Sequence, residues 1–392
     1  MICGIDQIDT IGKTVFLRVD FNVPLDKGNI TEPHRIESSL PTIRLLLEKS
    51  KKVIIATHLG RPGGRKDPKF SLAPIRAYLE KSLGQAVVMA PDCVGPEAEE
   101  LARDPNSQIV LLENLRFHPE EEKNDAIFSR ALASLADVYV NDAFGAAHRA
   151  HASTVGMAAF FEVKAAGLLL QRELDYLSRV LLAPEKPFIA ILGGAKVSDK
   201  IGVIKNLLPK VDALLVGGGM AYTFLKAKGV NIGQSLIEKD KLPVANELMA
   251  NAITSEVKVL LPTDHLTGDE NKENFSISDV NIPEGRIGLD IGPQTIRQFI
   301  EEIGRSKMVL WNGPVGLFEV EPFDRGSKAL AQALADQRSN IISIVAGGDT
   351  VAAVTAAGVA DHITHLSTGG GATLEFLEGR ELPGIKALEK TA

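Results

Sequence analysis

Short apolar runs alternate with longer amphipathic segments along almost the whole chain. Each run is rich in β-branched residues and is followed by a turn with Gly, Asp, Asn or His, and then by an amphipathic stretch of about ten to fifteen residues. Since the runs are continuously apolar and do not alternate, they indicate strands buried on both faces of parallel sheets. The predicted strands are residues 14–19, 53–56, 86–89, 109–112, 138–140, 188–192, 213–216, 257–261, 308–311 and 341–345.

This repeating pattern is interrupted between residues 160 and 187. Residues 163–182 form one longer amphipathic segment, which Pro184 and Pro187 follow before the strand pattern resumes. We interpret the segment as a helix that bridges two domains. The expected fold class is α/β, with two doubly wound parallel-sheet (Rossmann-like) domains facing each other across a cleft. The expected boundaries are 1–162 for the N-terminal domain, 163–182 for the bridging helix, 183–379 for the C-terminal domain and 380–392 for a tail.

Composition and charge narrow the class of protein. A chain of 392 residues is too long for one hydrophobic core, which agrees with two domains. The net charge of −7 gives no electrostatic footprint for nucleic acid or an anionic membrane, so we expect neither as a partner. Cys3 and Cys93 are the two cysteines and form no CxxC pair, which disfavours a disulfide framework or a cysteine zinc site. We expect a cytoplasmic protein, because no secretory signal or membrane-spanning run is evident.

Basic residues follow the strands predicted in the N-terminal half. Ligands of open parallel sheets bind beyond the carboxyl ends of the strands. Guanidinium groups there suit the oxygens of carboxylates and phosphates. Each arginine could instead pair with a nearby carboxylate such as Asp20 or Asp142 or be solvated, and the histidines could cap or pack. We call this set the basic rim; it comprises Asp20, Asn22, His58, Arg61, Arg116, His148, Arg149 and His151.

Glycines follow the strands predicted in the C-terminal half. In 347–350, GGDT, the glycines clear space, Thr350 offers a hydroxyl group, and Asp349 is either a Mg²⁺ ligand or a helix N-cap. Lys196 and Lys200 are expected one helical turn apart, facing one phosphate chain or simply solvated. Glu319 could accept hydrogen bonds from a ribose. We call this set the glycine rim; it comprises residues 193–200, 217–219, 312–319, 347–350 and 369–371.

Three glycines at 369–371 precede a segment, ATLEFLEG at 372–379, that is typical of a helix with a glycine stop. A helix N-terminus favours an anion, so this loop is a candidate phosphate site, although a plain loop is the alternative. Two common nucleotide fingerprints are absent from the sequence, since neither GxxxxGK[ST] nor a GxGxxG with the expected strand and acidic residue occurs. The chain is therefore predicted to be neither a P-loop kinase nor an ordinary dehydrogenase.

Motifs from both halves together resemble the phosphoglycerate kinase family, in that family's order and spacing, from about residue 10 to about residue 380. The motifs are RVDFNVP at 18–24, HLGRP at 58–62, LENLRF at 112–117, AHRAHAS at 147–153, GGAKVSDK at 193–200, VGGGMAYTFL at 216–225, WNGPVGLFE at 311–319, AGGDT at 346–350 and STGGGATLEFLEG at 367–379.

The resemblance implies reversible phosphoryl transfer from 1,3-bisphosphoglycerate to MgADP, with Mg²⁺ held through Asp349. It also implies a monomer whose tail returns to the N-terminal domain. Implied ligands of the phosphoglycerate are Asp20, Phe21, Asn22, Arg35, His58, Leu59, Gly60, Arg61, Arg116 and Arg149. Implied ligands of ADP or ATP are Lys196, Lys200, Gly218, Gly288, Asn312, Glu319, Gly347, Gly348, Asp349 and Thr350. Implied catalytic residues are Arg35, Lys196, Gly370 and Gly371.

The chemistry of this transfer agrees with the residue types. The attacking carboxylate oxygen is already anionic, so no general base is needed, and in-line positioning with charge neutralisation should dominate. Because the two rims belong to different domains, we expect domain closure that excludes water. Two other readings remain open: a two-domain anion-binding protein without catalysis, and an acyl-phosphate kinase for another small acid.

Overall fold

The computed structural model describes residues 2–389, and these form two compact units. The N-terminal unit comprises residues 2–175 with 381–389, and the C-terminal unit comprises residues 176–380. Residues 1 and 390–392, which the expected first domain and tail include, lie outside the described residues. No helix within residues 2–389 is long and apolar enough to cross a membrane.

The N-terminal unit is built on a six-stranded parallel sheet with the order β5-β6-β4-β1-β7-β8. The central strand β1 is buried from Val15 onwards, as a strand covered on both faces must be. A two-stranded hairpin, β2-β3, follows β1. The strands are β1 (Thr14–Val19), β2 (Leu25–Asp26), β3 (Asn29–Ile30), β4 (Lys52–Ala56), β5 (Val88–Met89), β6 (Ile109–Leu111), β7 (Val138–Asp142) and β8 (Lys164–Ala166).

Helices connect these strands and cover the sheet. Helix α1 begins at His34, directly after Pro33. The unit division falls within α6, and residues 381–389 pack with the N-terminal unit, where Gly384 N donates to Ala147 O at 2.8 Å. The helices up to this point are α1 (His34–Lys49), α2 (Ala73–Leu83), α3 (Pro96–Arg103), α4 (Pro119–Glu122), α5 (Ala126–Ala133) and α6 (Leu168–Leu182).

The C-terminal unit has a second six-stranded parallel sheet, with the order β11-β10-β9-β15-β16-β17, and a three-stranded antiparallel sheet, β13-β12-β14. Its strands are β9 (Phe188–Leu192), β10 (Ala213–Val216), β11 (Lys258–Leu260), β12 (Asp264–Gly268), β13 (Ser276–Asp279), β14 (Ile287–Ile291), β15 (Met308–Asn312), β16 (Ile342–Ala346) and β17 (His365–Leu366). Its helices are α7 (Ile201–Leu207), α8 (Met220–Ala227), α9 (Leu242–Thr254), α10 (Pro293–Arg305), α11 (Arg325–Asp336), α12 (Gly348–Ala356) and α13 (Gly371–Leu377); α14 (Pro383–Lys386) belongs to the N-terminal unit.

The expectation of an α/β fold with two parallel sheets is confirmed, and each of the ten predicted runs contains a strand whose ends agree within two residues. The prediction of one continuous helix over 163–182 is wrong at its start. Residues Lys164–Ala166 form β8, the edge strand that pairs with β7, and the helix begins only at Leu168. A three-residue strand next to an amphipathic helix has no periodicity of its own, so pattern analysis merged the two.

Candidate active site

The basic rim brings Asp20, Arg35 and His58 together at the carboxyl ends of β1 and β4. The parallel register pairs Arg18 with Ala56, so both strands end at the same level and the residues that follow them are neighbours. Arg35, in the first turn of α1, donates from Nη1 to Asp20 Oδ2 at 2.8 Å. His58 Nδ1 lies 3.8 Å from Asp20 Oδ1. Asp20 therefore fixes a partly exposed guanidinium group beside a buried imidazole.

Backbone and side-chain hydrogen bonds lock the neighbouring strand ends together. Gly60 N donates to Asn22 Oδ1 at 2.8 Å, and Arg116 Nη1 donates to Gly60 O at 2.8 Å. Gly60 has φ of +62°, and a Cβ there would lie 2.3 Å from the Phe70 ring, so only glycine fits. Asn114 closes the arrangement, because its Nδ2 donates to Leu59 O at 2.8 Å. Arg116 is thus anchored by its Nη1 in a pocket where it is only 6% exposed.

The charges of this cluster set the protonation of Asp20 and His58. Burial would raise the pKa of Asp20, but the neighbouring guanidinium groups of Arg35 and Arg18 and the hydrogen bond from Asn22 N help to lower it below its ordinary value. Burial lowers the pKa of His58 well below its ordinary value, and although Asp20 opposes this, the neighbouring arginines reinforce it. At neutral pH the cluster therefore contains an ionised carboxylate and a neutral imidazole.

Arg18 is a member of this cluster that sequence reasoning missed. It is 1% exposed, its Nε donates to Ser153 Oγ at 2.7 Å, and its Nη2 lies 3.3 Å from His58 Nδ1. A guanidinium group can only donate, so His58 Nδ1 accepts and Nε2 carries the hydrogen. Ser153 in turn donates to Glu121 Oε1 at 2.5 Å. Arg18 lies inside an apolar run, where the sequence pattern predicts only a buried strand.

The remaining residues of the predicted phosphoglycerate site are less tightly held. Arg61 is exposed, and Arg149 is half-buried with its Nε donating to His148 Nε2 at 3.1 Å. The side chains of Phe21 and Leu59 are buried in the core, at 0% and 3% exposure, so they can serve a ligand only through their backbone.

The alternative of local ion pairs fits part of this set. Asp20 pairs with Arg35, which is not one of the three arginines for which that alternative was raised. Arg116 Nε lies 3.4 Å from the half-exposed Glu122.

Burial and the charges of Arg18, Arg116 and Arg149 lower the pKa of His151 to about 4, so this histidine is also neutral near pH 7.

The glycine rim is built from backbone that crosses at very short range. Gly194 N donates to Pro314 O at 2.9 Å, and Gly218 N donates to Val315 O at 2.9 Å. Gly218 has φ of +63°, and a Cβ there would lie 2.7 Å from Gly194 N. At Gly313, with φ of +97°, a Cβ would lie 2.2 Å from a backbone oxygen. The loops after β9, β10 and β15 therefore require glycine for steric reasons.

Polar side chains join this backbone at the ends of β15 and β16. Lys200 Nζ donates to Asn312 Oδ1, and Asn312 Nδ2 donates to Ala346 O at 2.7 Å. Gly313 N donates to Thr350 Oγ1 at 2.7 Å. Burial lowers the pKa of Lys200, although Asp199 and Asp349 oppose the shift. Gly347, with φ of +92°, leaves the space that Asn312 Nδ2 occupies, since a Cβ there would lie 2.9 Å away.

The predicted helical spacing of Lys196 and Lys200 is wrong. Helix α7 begins at Ile201, so Lys200 precedes it, and residues 198–200 form a turn in which Lys200 N donates to Val197 O at 2.9 Å. Ser198 and Asp199 favour a turn over a helix, because their side chains compete for backbone hydrogen bonds. Lys196 is exposed, whereas Lys200 is half-buried. The two ammonium groups therefore have different surroundings.

Asp349 is the second residue of α12 and is exposed, as is Gly348 before it. Gly347 precedes the helix, so the reading of Asp349 as an N-cap does not hold. A single exposed carboxylate suits Mg²⁺, which usually takes one or two protein carboxylates and completes its coordination with water or phosphate oxygens.

Three further positions complete the rim. Glu319 is exposed in the turn after β15. Gly288 N donates to Ser235 Oγ at 2.9 Å, and a Cβ on Gly288 would lie 2.1 Å from Tyr222 Oη. Sequence reasoning missed Leu236, an apolar side chain 48% exposed that a Cβ on Gly219 would contact at 3.0 Å. The signal that marks Leu236 is the exposure of a large apolar side chain, and only the structure shows that exposure.

The three glycines at 369–371 lead into a helix, as predicted. Gly370 has φ of +54° and ψ of −114°, a backbone conformation for which glycine is suited, and α13 begins at Gly371. Ser367 contacts Thr373 across the turn, with 2.7 Å between their hydroxyl oxygens, and Gly369 N donates to Ser367 Oγ at 3.2 Å. These contacts hold the loop against the first turn of α13.

Another group of potential metal ligands lies outside both rims. Among residues 2–389, the group of His, Cys, Asp or Glu with ligand atoms within 4.8 Å of one another is Asp92, Cys93 and His118. His118 Nε2 is 2.6 Å from Asp92 Oδ1, and Lys66 Nζ is 2.8 Å from Asp92 Oδ2. The lysine supplies the positive charge that the carboxylate needs, so the cluster is explained as an ion-paired network.

Known proteins match this chain over almost its full length. The family model described as phosphoglycerate kinase matches residues 5–380. A relative from Anaeromyxobacter sp. (strain K), named phosphoglycerate kinase, is 54% identical over 98% of this chain and 99% of its own. One from Triticum aestivum, named phosphoglycerate kinase, cytosolic, is 53% identical over 98% of this chain and 97% of its own.

Solved structures agree with the sequence relatives. The structure of phosphoglycerate kinase from Coxiella burnetii superimposes with a TM-score of 0.87 at 40% identity, covering 99% of each chain. The phosphoglycerate kinase from Pyrococcus horikoshii OT3 gives 0.86 at 32% identity, covering 98% of each chain. With the family model, these relatives and the two rims in agreement, the chain belongs to the phosphoglycerate kinase family.

Proposed function

We propose that this chain catalyses reversible phosphoryl transfer between 1,3-bisphosphoglycerate and MgADP, giving 3-phosphoglycerate and MgATP. The observation that carries the proposal is that one chain of this kinase family holds two chemically different sites. One is a side-chain cluster with several arginines, and the other is a glycine-lined backbone site with a half-buried lysine. The first suits a small polyanion, and the second suits a nucleotide and its phosphates.

We assign phosphoglycerate binding to the N-terminal unit. His58 Nε2–H and the guanidinium groups of Arg35, Arg61, Arg116 and Arg149 donate to the ligand's carboxylate and phosphate oxygens. Asp20 accepts from Arg35 and so holds that guanidinium in place. Asn22 and the backbone of residues 58–60 complete the site. This assignment uses the neutral state of His58 as a donor.

We assign nucleotide binding to the C-terminal unit. We expect the backbone at Gly218, Gly288 and Gly347 to contact the nucleotide, since a backbone without a side chain can approach a ligand closely. Asn312, Glu319 and Thr350 supply polar contacts, and Lys196 and Lys200 neutralise phosphate charge. Asp349, with Gly348 beside it, is the residue that would hold Mg²⁺, which when bound neutralises charge on the phosphate oxygens.

The transfer needs no general base from this chain. The attacking carboxylate is already ionised, and Asp20 is committed to its ion pair with Arg35. Arg35, Lys196 and the backbone amides of Gly370 and Gly371 stabilise the charge on the phosphoryl group as it transfers in line. Because the two substrates are assigned to different units and water must be excluded from the transfer, we expect the units to close during turnover. Small-angle scattering that shows no compaction with both ligands would contradict closure.

The direct test is ADP formation from MgATP with and without 3-phosphoglycerate. We expect ADP only when 3-phosphoglycerate is present. A chain that turns over another small carboxylic acid faster would be an acyl-phosphate kinase of different specificity. A chain that binds 3-phosphoglycerate but not MgADP would be the non-catalytic anion-binding protein.

A glycine variant tests the role of the loop before α13. In Gly371→Val the branched side chain should displace the amides that face the phosphoryl group, so kcat should fall far more than the affinity for MgADP. Steady-state kinetics and calorimetry together separate the two quantities. Equal losses in both would contradict a role in transfer.

We further propose that the protein is a cytoplasmic monomer whose partners are these small molecules. The cytosolic name of the wheat relative supports the location. Light scattering coupled to gel filtration tests the monomer directly, and a mass twice that of the chain would exclude it.

A further inference from the structure

One short segment between α8 and α9, residues 235–238, contacts two separate parts of the glycine rim and also Gly288 in β14. Ser235 Oγ accepts a hydrogen bond from Gly288 N at 2.9 Å. Leu236 lies beside the backbone of Gly219. The Glu238 carboxylate reaches the loop that carries Lys196. The segment therefore connects elements that are far apart in the sequence.

The contacts of Glu238 are bidentate. Ser198 Oγ donates to Glu238 Oε1 at 2.6 Å, and Ser198 N donates to Glu238 Oε2 at 3.0 Å. Burial would raise the pKa of Glu238, but hydrogen bonds from Ser198 and from Val197 N lower it, so the carboxylate stays ionised. Charge-assisted hydrogen bonds of this kind are stronger than neutral ones.

The backbone of Glu238 is itself held by a hydrogen bond to a buried residue. Its own N–H donates at 3.2 Å to Oγ1 of Thr223, a residue of α8 that is 1% exposed. The backbone of Glu238 is thus anchored to the core of the C-terminal unit, and its carboxylate holds residues 197–198 by hydrogen bonds. Val197 is fully buried, so the turn is held both by the packing of Val197 and by the hydrogen bonds of Ser198 to Glu238.

The two lysines of this loop differ in how they are anchored. Lys200 has its own anchor in Asn312. Lys196 is exposed, and within residues 2–389 its ammonium group has no ion-pair partner. The position of its long side chain over a ligand therefore depends on the backbone of residues 196–198. That backbone is held by the hydrogen bonds to Glu238.

We propose that Glu238 is a positioning residue for the transfer reaction, which acts by fixing the loop that presents Lys196 to the transferring phosphate. The proposal rests on the function proposed above. It assigns to Glu238 no contact with substrate. Its effect should therefore disappear when Lys196 can no longer supply its charge.

A double-mutant cycle tests this dependence. Glu238→Gln keeps the shape but replaces one accepting oxygen with an amide that cannot accept from Ser198. We expect kcat to fall about tenfold, because a fixed charge near the transferring group is lost from its position. In a Lys196→Met background the same substitution should lower kcat less than about twofold. Ser198→Ala, which removes one of the donors, should give a smaller loss of the same kind.

A matched control comes from an exposed pair in the same unit. Glu247 pairs with Lys205 at 2.8 Å and both side chains are about half exposed, so Glu247→Gln should leave kcat unchanged. Thermal unfolding of each variant reports any general loss of stability.

The outcomes separate this inference from the function on which it rests. Suppose that the wild-type chain is active and that Glu238→Gln lowers kcat by the same factor in the wild-type and Lys196→Met backgrounds. Glu238 would then have a merely structural role, and the inference would be overturned. An unchanged kcat in the single variant would overturn it as well. If the wild-type chain shows no 3-phosphoglycerate-dependent turnover, the proposed function fails, and MgADP affinity then decides the inference. In that case a threefold or larger loss in Glu238→Gln that vanishes in Lys196→Met supports the positioning role, and unchanged affinity overturns it.

Discussion

At the strand ends of the N-terminal sheet the groups available to a ligand are mainly side chains, whereas at those of the C-terminal sheet they are mainly backbone. The basic rim consists of charged groups held by one another, as Arg35 is held by Asp20. The glycine rim consists of loops that touch at distances no Cβ allows, as at Gly218 and Gly313. The first arrangement supplies strong localised charge, and the second supplies a close-fitting surface. A small polyanion needs the former, and a large nucleotide needs the latter.

The largest effect is expected in the basic rim at Arg35. Arg35→Ala removes the donor that we propose for the transferring phosphate and leaves Asp20 without its main cationic partner, so kcat should fall about 10²–10³-fold. The assay is 3-phosphoglycerate-dependent ADP formation. Arg103→Ala is the matched control, because Arg103 forms an exposed ion pair with Glu99 at 3.1 Å in the same unit. Activity within a few-fold of wild type in Arg35→Ala would remove this residue from the mechanism.

A side chain at Gly218 should produce the largest effect in the glycine rim. Gly218→Val combines a strained φ with contact against backbone atoms of residues 194 and 314, so MgADP affinity should fall about 100-fold. Calorimetry measures the affinity. Gly285→Ala is the control, since it has a similar φ of +75° but open space around the added Cβ. If both variants lost a comparable amount of MgADP affinity, the cause would be backbone strain in the fold and not a change in the site.

A more conservative change sharpens the account of the basic rim. Arg116→Lys keeps the charge but loses the planar fork that bonds Gly60 O, so KM for 3-phosphoglycerate should rise roughly tenfold while kcat changes less. An unchanged KM would show that charge alone is sufficient at this position.

The smallest effects concern pH, and they have opposite signs in the two units. Asp290 in β14 is buried, which raises its pKa to about 8, although Gly326 N and Ile291 N donate to it. The unfolded chain releases this proton near pH 3.8, so the contribution of Asp290 to stability falls as pH rises from about 4 to about 8. His151 has a folded pKa of about 4 against 6.5, so its contribution falls as pH drops from about 6.5 to about 4.

Chemical denaturation across this pH range measures both contributions. In Asp290→Asn the loss of stability with rising pH should become shallower, and in His151→Gln the loss with falling pH should become shallower. Identical pH profiles in wild type and variants would show that neither group titrates as its environment indicates.

Much of the fold could be predicted because the strands of both parallel sheets are continuously apolar. The parts that were missed lack that signal. Strand β12, Asp264–Gly268, is fully buried yet has one large apolar residue, Leu266, and its Asp264 carboxylate accepts from Thr295 N at 2.8 Å. Strand β8 is three residues long. Such segments become strands only because a neighbouring strand offers an edge.

The site divides in the same way. Residues after apolar runs, such as His58 and Asn312, could be found from the rule that ligands bind at strand ends. Arg35 lies in a helix and was indicated only by the family resemblance. Arg18 was hidden inside a strand, and Glu238 lies in a loop with no periodicity, so their contacts depend on tertiary packing. The helical spacing given to Lys196 and Lys200 was wrong because residues 198–200 form a turn and α7 begins only at Ile201.

The most direct test of the difference between the rims is a crossed binding measurement. Calorimetric titration of 3-phosphoglycerate and of MgADP into wild type, Arg116→Lys and Gly218→Val gives six dissociation constants. We expect Arg116→Lys to weaken only 3-phosphoglycerate and Gly218→Val to weaken only MgADP, each with the other constant within about twofold of wild type. Loss of both ligands in either variant, or loss of the opposite ligand, would contradict the assignment of one ligand to each rim.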